Sequence, residues 1–225
     1  MAVTHPQASV TTPATRQRPP ARRGALRRIA AGVAGLGLAA AAVYAQTFAP
    51  SFEELGAFLT YKGGIGRPVE TGRFTVKVTS VGAARAVDTT DFSNKVSKVG
   101  TSNVFLLVNM VATTPREPMQ LAALTPPVLM SGDGRRYKPT DKVAESLTMF
   151  NKWIQPGLWS SGVLVFEVPK DAVRGARFVF RPPTGAIPVD SFAPEVEIDL
   201  GLSGAAGDRL VSQAEAFHSL VPKTS

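Results

Sequence analysis

The residues able to do chemistry are few and far apart. The chain has two histidines, His5 and His218, and no cysteine. His5 stands in a polar N-terminal stretch and His218 in the last eight residues. Neither has a second histidine at metal-ligand spacing, and without cysteine no thiolate metal site or disulfide framework can form. A Ser-His-Asp site would have to use His218, and the sequence carries no G-x-S-x-G elbow. Gly132 and Gly134 make no phosphate loop, because no Lys-Ser/Thr pair follows and no helix begins there. Asp88, Asp91, Asp133, Asp141 and Asp171 fall in segments read as loops, where a hard cation could find carboxylates. Turn chemistry, with each Asp bonding its own backbone, accounts for them more simply. The expectation is a protein that is not an enzyme and holds no cofactor and no metal.

What the sequence offers in place of chemistry is an apolar cluster. Trp153 and Trp159 flank the turn at Gln155-Pro156-Gly157, with Met149, Phe150, Ile154 and Leu158 beside them. Exposed together, Phe150, Trp153, Ile154, Leu158 and Trp159 would form a partner-binding surface. Buried together, they would close one end of the core.

These residues need a scaffold, and the charge distribution indicates where it stands. The net charge is +8. Residues 1–28 hold six of the 25 basic residues and none of the 17 acidic ones, which leaves the remainder at +2. A nucleic-acid-binding domain would gather the excess on the fold itself, so no nucleic-acid partner is expected.

Residues 1–24, rich in Pro, Thr, Gln and Arg, read as a disordered cytoplasmic tail. Residues 25–48 read as a transmembrane helix. Their uncharged run Ile29–Phe48 matches the roughly 20 apolar residues needed to cross a bilayer. Arg22, Arg23, Arg27 and Arg28 precede it, and no basic residue follows until Lys62, which orients the N-terminus inward and the C-terminus outward. Two alternatives stand. Val43-Tyr44-Ala45 fits a signal-peptidase site before Gln46, and Arg22-Arg23 is similar to a twin-arginine export signal; in either case the domain is secreted. A buried Ala/Gly-rich helix is the other. Ala31, Gly35 and Ala39 form a small-residue stripe that a second helix could pack on, although such stripes also arise by chance in Ala/Gly-rich spans.

Residues 49–66 read as a juxtamembrane helix and linker: Ser51 and Glu54 form a capping box, Phe52, Leu55, Phe58 and Leu59 share a face, and Gly63-Gly64 stop it. Residues 67–203 read as strands. Phe74, Val76 and Val78 alternate with polar residues, as in a half-buried strand. Val87–Ser102 reads as a long polar loop, and Val104–Ala112 as a central strand buried on both sides. Leu121–Met130, broken by Pro126-Pro127, gives a short irregular strand, and Ser131–Gly134 a turn. Ser160–Val168, Gly175–Arg181 and Glu195–Leu200 give three further strands. Residues 204–225 read as a tail with a short helix carrying Leu210, Val211, Ala214 and Phe217.

Several quoted segments, in this order, resemble the DUF4352 family of small exported immunoglobulin-like domains, related to secreted immunoprotective antigens of mycobacteria. They are Val104–Asn109, Glu117-Pro118 with Leu121, Ser131–Tyr137, and Pro156-Gly157 leading to Val165-Phe166-Glu167-Val168-Pro169. The resemblance covers about Val69 to Phe180, departing from the family at Met110-Val111-Ala112 and in the polar segment before the core strand. It implies an extracytoplasmic β-sandwich and no particular activity. The fold class expected is therefore all-β: an immunoglobulin-like antiparallel β-sandwich of about seven strands, with an N-terminal transmembrane helix. The function expected is a membrane-anchored binding or assembly module whose partners are the membrane and another envelope protein. The alternative is a sensor or carrier for an envelope lipid or glycan.

Overall fold

The computed structural model describes residues 58–123, 125–183 and 193–221. They form a two-sheet β-sandwich with one short helix. In chain order the strands are β1 (Leu59–Gly64), β2 (Val69–Glu70), β3 (Thr75–Thr90), β4 (Val96–Thr113), β5 (Met119–Gln120), β6 (Val128–Met130), β7 (Arg136–Tyr137), β8 (Trp153–Ile154), β9 (Ser160–Val168), β10 (Arg177–Phe180) and β11 (Pro194–Asp199). Helix α1 spans Ala205–Ser212. One sheet runs β1-β11-β10-β6-β7 and the other β2-β3-β4-β9, with β5 and β8 paired apart. Only β1 and β11 pair in parallel within the two main sheets.

The alternation read from the sequence builds the space between the sheets. Phe74, Val76 and Val78 are fully buried there with Leu106, Val108, Phe166, Phe178 and Phe180. Phe74 and Phe180 meet across the sheets at 5.0 Å between ring centroids, inside the range for favourable aromatic pairs. Asn109, the polar residue within the apolar run, donates from Nδ2 to Ser80 Oγ at 3.1 Å, beside an irregularity where Thr79 drops out of the β3–β4 register.

Val104–Val108 is buried throughout, as expected for a strand covered on both faces. The second cover is formed by the protein itself. Val104, Leu106 and Val108 face the other sheet, whereas Phe105 and Leu107 join a second core with Ala84, Val87, Val143 and Val165. Val99, Leu147, Val163 and Leu220 pack against it.

Four expectations are corrected. Val87–Ser102 is not a loop: β3 and β4 run on as an arm, shifting register between Ala84 and Ala86 and pairing as far as Thr90 with Val96. Its polar sequence reflects a strand pair exposed along much of its length and a turn at Asp91–Lys95. Residues 59–64 are not helical, because the open edge of β11 pairs with them from Leu59↔Pro194 to Gly64↔Asp199. Gly63 is needed for close approach rather than as a helix stop: a Cβ there would lie 2.2 Å from Val69 Cγ2. The sandwich therefore begins at β1, not at residue 67. The segment after α1 is also part of the domain, since Glu215 and His218 bridge in parallel to Ala84 and Val87 of β3. The expected capping box, transmembrane helix and cytoplasmic tail lie outside the described residues. Among the described residues no helix is long and apolar enough to cross a membrane.

Candidate functional site

The apolar cluster around the Pro156 turn divides in two. Thr148 caps a short 3-10 turn, Met149–Asn151, by accepting from the Phe150 amide at 3.3 Å, while its own hydroxyl donates to the Glu145 carbonyl at 2.8 Å. This turn drives Met149 and Phe150 inward, and both are buried. In β8 successive side chains point to opposite faces, so Ile154 is fully buried and Trp153 is 56% exposed. Leu158 and Trp159 follow at 65% and 54%. Phe150 and Ile154 are thus core residues and not part of an exposed surface. Trp153, Leu158 and Trp159 remain as a rim.

The rim loop is held at both ends. Ser160 Oγ donates to the Trp153 carbonyl at 2.7 Å, and the Gly157 amide donates to the Thr114 carbonyl at 3.0 Å. Gly157 has φ +70, a conformation that glycine adopts without steric cost.

A second feature went unseen in the sequence. The arm bends over the outer face of the four-stranded sheet, and the Ala144 amide donates to Thr89 Oγ1 at 2.8 Å. Between the arm tip and residues 138–148 lies a cleft of about 830 Å³, with Asp91, Phe92, Lys138, Asp141 and Glu145 among its walls. Phe92, at the arm tip, is fully exposed. The arm could not be inferred from periodicity, because its covering partners, Val143 the first of them, lie more than 40 residues downstream.

The aspartates serve the backbone and the ends of the chain. Asp91 Oδ1 accepts from the amides of Ser93 and Lys95 and from Ser93 Oγ, at 2.7–3.0 Å; these bonds hold its carboxyl below the ordinary value. Asp133 accepts from Ser131 Oγ and, with Asp171, holds the Arg135 guanidinium at 2.7 and 2.9 Å. Asp88 reaches the C-terminal segment, accepting from Ser219 Oγ at 2.6 Å and from the amides of Leu220 and Val221 at 2.5 and 3.2 Å. Asp141 stands in the cleft wall. Near the cleft, Glu167 pairs with Lys142 at 2.6 Å and accepts from Thr101 at 2.5 Å. Burial raises the Glu167 carboxyl, and these partners outweigh it and hold it lowered. His218 Nδ1 lies 2.8 Å from Glu215, beside the tail rather than in a cleft, and His5 lies outside the described residues. Among the described residues no three of His, Asp and Glu converge as a metal site.

The family model described as "Domain of unknown function (DUF4352)" matches residues 63–186. No curated protein matches the chain. Three solved structures are similar to this chain. The yjhA protein from Bacillus subtilis is 12% identical, with TM-score 0.46 over 61% of this chain and 99% of that one. A conserved hypothetical protein from Bacillus anthracis is 20% identical, with TM-score 0.38 over 52% and 87%. An uncharacterized β-sandwich protein from Clostridium difficile 630 is 8% identical, with TM-score 0.40 over 64% and 95%.

Proposed function

The chain belongs to the DUF4352 family, and from that premise we propose that it is a non-enzymatic binding module, held by a single N-terminal span on the outer face of the cell membrane and acting through contact with another envelope protein. The arm carries the reading. Strands of 16 and 18 residues present a fully exposed phenylalanine, Phe92, at their tip, with exposed Val96 just behind it. A large apolar side chain held in water at the end of a supported hairpin has no folding role, and such residues anchor interfaces. An immunoglobulin-like scaffold accords with this, since a sandwich of two largely antiparallel sheets displays its loops at its two ends. The arginines before the apolar run, and a remainder near neutrality, support export and argue against a nucleic-acid partner.

The test is a photo-crosslinking amino acid at position 92 in intact cells, followed by mass spectrometry. One dominant protein adduct is expected, absent when the probe sits at Lys77. Identical adducts from both positions would overturn the reading.

The cleft favours a second reading, a carrier or sensor of an envelope ligand. Its volume of about 830 Å³ lies within the roughly 300–1,000 Å³ of small-molecule sites. Its walls mix charged Lys138, Asp141 and Glu145 with apolar Phe92, Val143 and Phe150, a mixture that suits the hydroxyls and ring faces of a glycan. Glycan-array binding that survives loss of Phe92 but not of Asp141 and Glu145 would favour this reading over the first.

A further inference from the structure

The rim stands at a particular end of the sandwich. The chain enters the five-stranded sheet at Leu59, opposite Pro194, and β10 finishes at that same end with Phe180. Phe180 meets Phe74, which immediately precedes Thr75 at the start of β3, so the ends of the two sheets coincide there. At that end of the four-stranded sheet Thr75 pairs with Thr113, and Ala112 with Ser160. The rim loop hangs from these residues through Thr114 and Ser160. Trp153, Leu158 and Trp159 therefore share an end with the entry point, where Leu59 is itself 51% exposed.

The length of chain before the entry point decides what this end meets. Ten residues separate Phe48, the end of the apolar run, from Leu59. Fully extended, the eleven steps from Phe48 to Leu59 reach at most about 40 Å. On the anchored reading, a tether of this length keeps the entry end within about 40 Å of the bilayer. Tethering also raises the effective concentration of a weak surface contact, so a small patch suffices. Indole side chains favour the headgroup region, where an apolar ring and a polar N–H are both accommodated. Charge at this end is nearly balanced, with exposed Arg73, Arg116 and Lys152 against exposed Glu70 and Glu117. The contact is therefore one of apolar insertion rather than of a basic patch.

We propose that the Trp153–Leu158–Trp159 rim is a lipid-facing surface that rests in the outer headgroup layer and fixes the tilt of the domain on its membrane. This rests on the anchored reading above. It leaves the arm for the protein partner.

Trp153 and Trp159 are the only tryptophans in the chain, so indole fluorescence reports the rim alone. The full-length chain is reconstituted in neutral phosphatidylcholine vesicles, some made with lipids brominated close to the headgroup. We expect emission shifted to the blue of solvent-exposed indole, at least about twofold quenching by the brominated lipids, and no loss of quenching in high salt. The variants Trp153→Phe and Trp159→Phe, each retaining one indole, should both show it. Indoles unquenched in a chain that alkaline carbonate fails to extract would overturn the lipid assignment and leave the anchor standing. Extraction by carbonate would overturn the anchor, and the rim assignment with it. Indoles exposed in vesicles but shielded in native membranes would assign the rim to a protein and overturn the proposal.

Discussion

Asp88 shows how one side chain can tie two distant parts of the chain. It is buried, and it accepts three hydrogen bonds from residues 219–221 at the end of the tail. Burial raises its carboxyl, but the bonds from Ser219, Leu220 and Val221 outweigh burial and hold it below the ordinary value. A carboxyl depressed in the folded state stabilises above its unfolded value, and that contribution is lost as pH falls through the folded value. The tail should therefore stay docked at neutral pH and loosen only in acid, below the ordinary carboxylate range. Asp88→Asn should cost about 1–3 kcal/mol, the range for hydrogen bonds to a charged group. Hydrogen exchange should show lost protection at residues 215–221 before any other segment. Unchanged protection there would mean the β3 edge holds the tail without the carboxylate.

At the scale of elements, β4 feeds two cores. Its even-numbered residues from Val104 to Ala112 pack between the sheets, and Phe105 and Leu107 pack beneath the arm. In a sandwich with an open outer face, Phe105→Ala would be a surface change worth about 0.5 kcal/mol or less. Here Phe105 is fully buried, and the substitution should cost about 3–5 kcal/mol, as for a core phenylalanine. Urea unfolding measures this directly. A cost below about 1 kcal/mol would show that the arm covers the sheet only loosely. The arm brings both the second core and the cleft.

For the molecule as a whole, the proposed functions depend on which side of the membrane the sandwich occupies. Four arginines lie within the seven residues from 22 to 28, and each costs about 2.5–3.5 kcal/mol at the centre of a membrane helix. Replacing Arg22, Arg23, Arg27 and Arg28 together with Glu should scramble or impair insertion. Added protease on spheroplasts should degrade residues 50–225 of the unaltered chain and spare residues 1–28; in the variant it should spare part of the domain. A mature N-terminus at Gln46 would instead identify a secreted domain. It would withdraw the tether on which the membrane-facing rim depends while keeping the arm as a contact surface.

The sequence by itself determined what local order can carry. Alternation at Phe74, Val76 and Val78, and the apolar run through β4, specified strands because the side chains on a pleated strand alternate between faces. The turn residues at Ser131–Gly134 and Gln155–Gly157 specified where strands end. Composition alone excluded cysteine chemistry and left two histidines. The tertiary structure decided everything that depends on partners far along the chain. Val87–Ser102 is an arm only because Val143, Leu147 and Leu220 complete a core beneath it. Leu59–Gly64 is a strand only because β11, more than 130 residues later, leaves an edge open to it. Of five apolar residues around one turn, Phe150 and Ile154 went inside while Trp153, Leu158 and Trp159 stayed out. Hydrophobicity is the same for a residue in the core and one on a rim, and only the packing of the rest of the chain separates them.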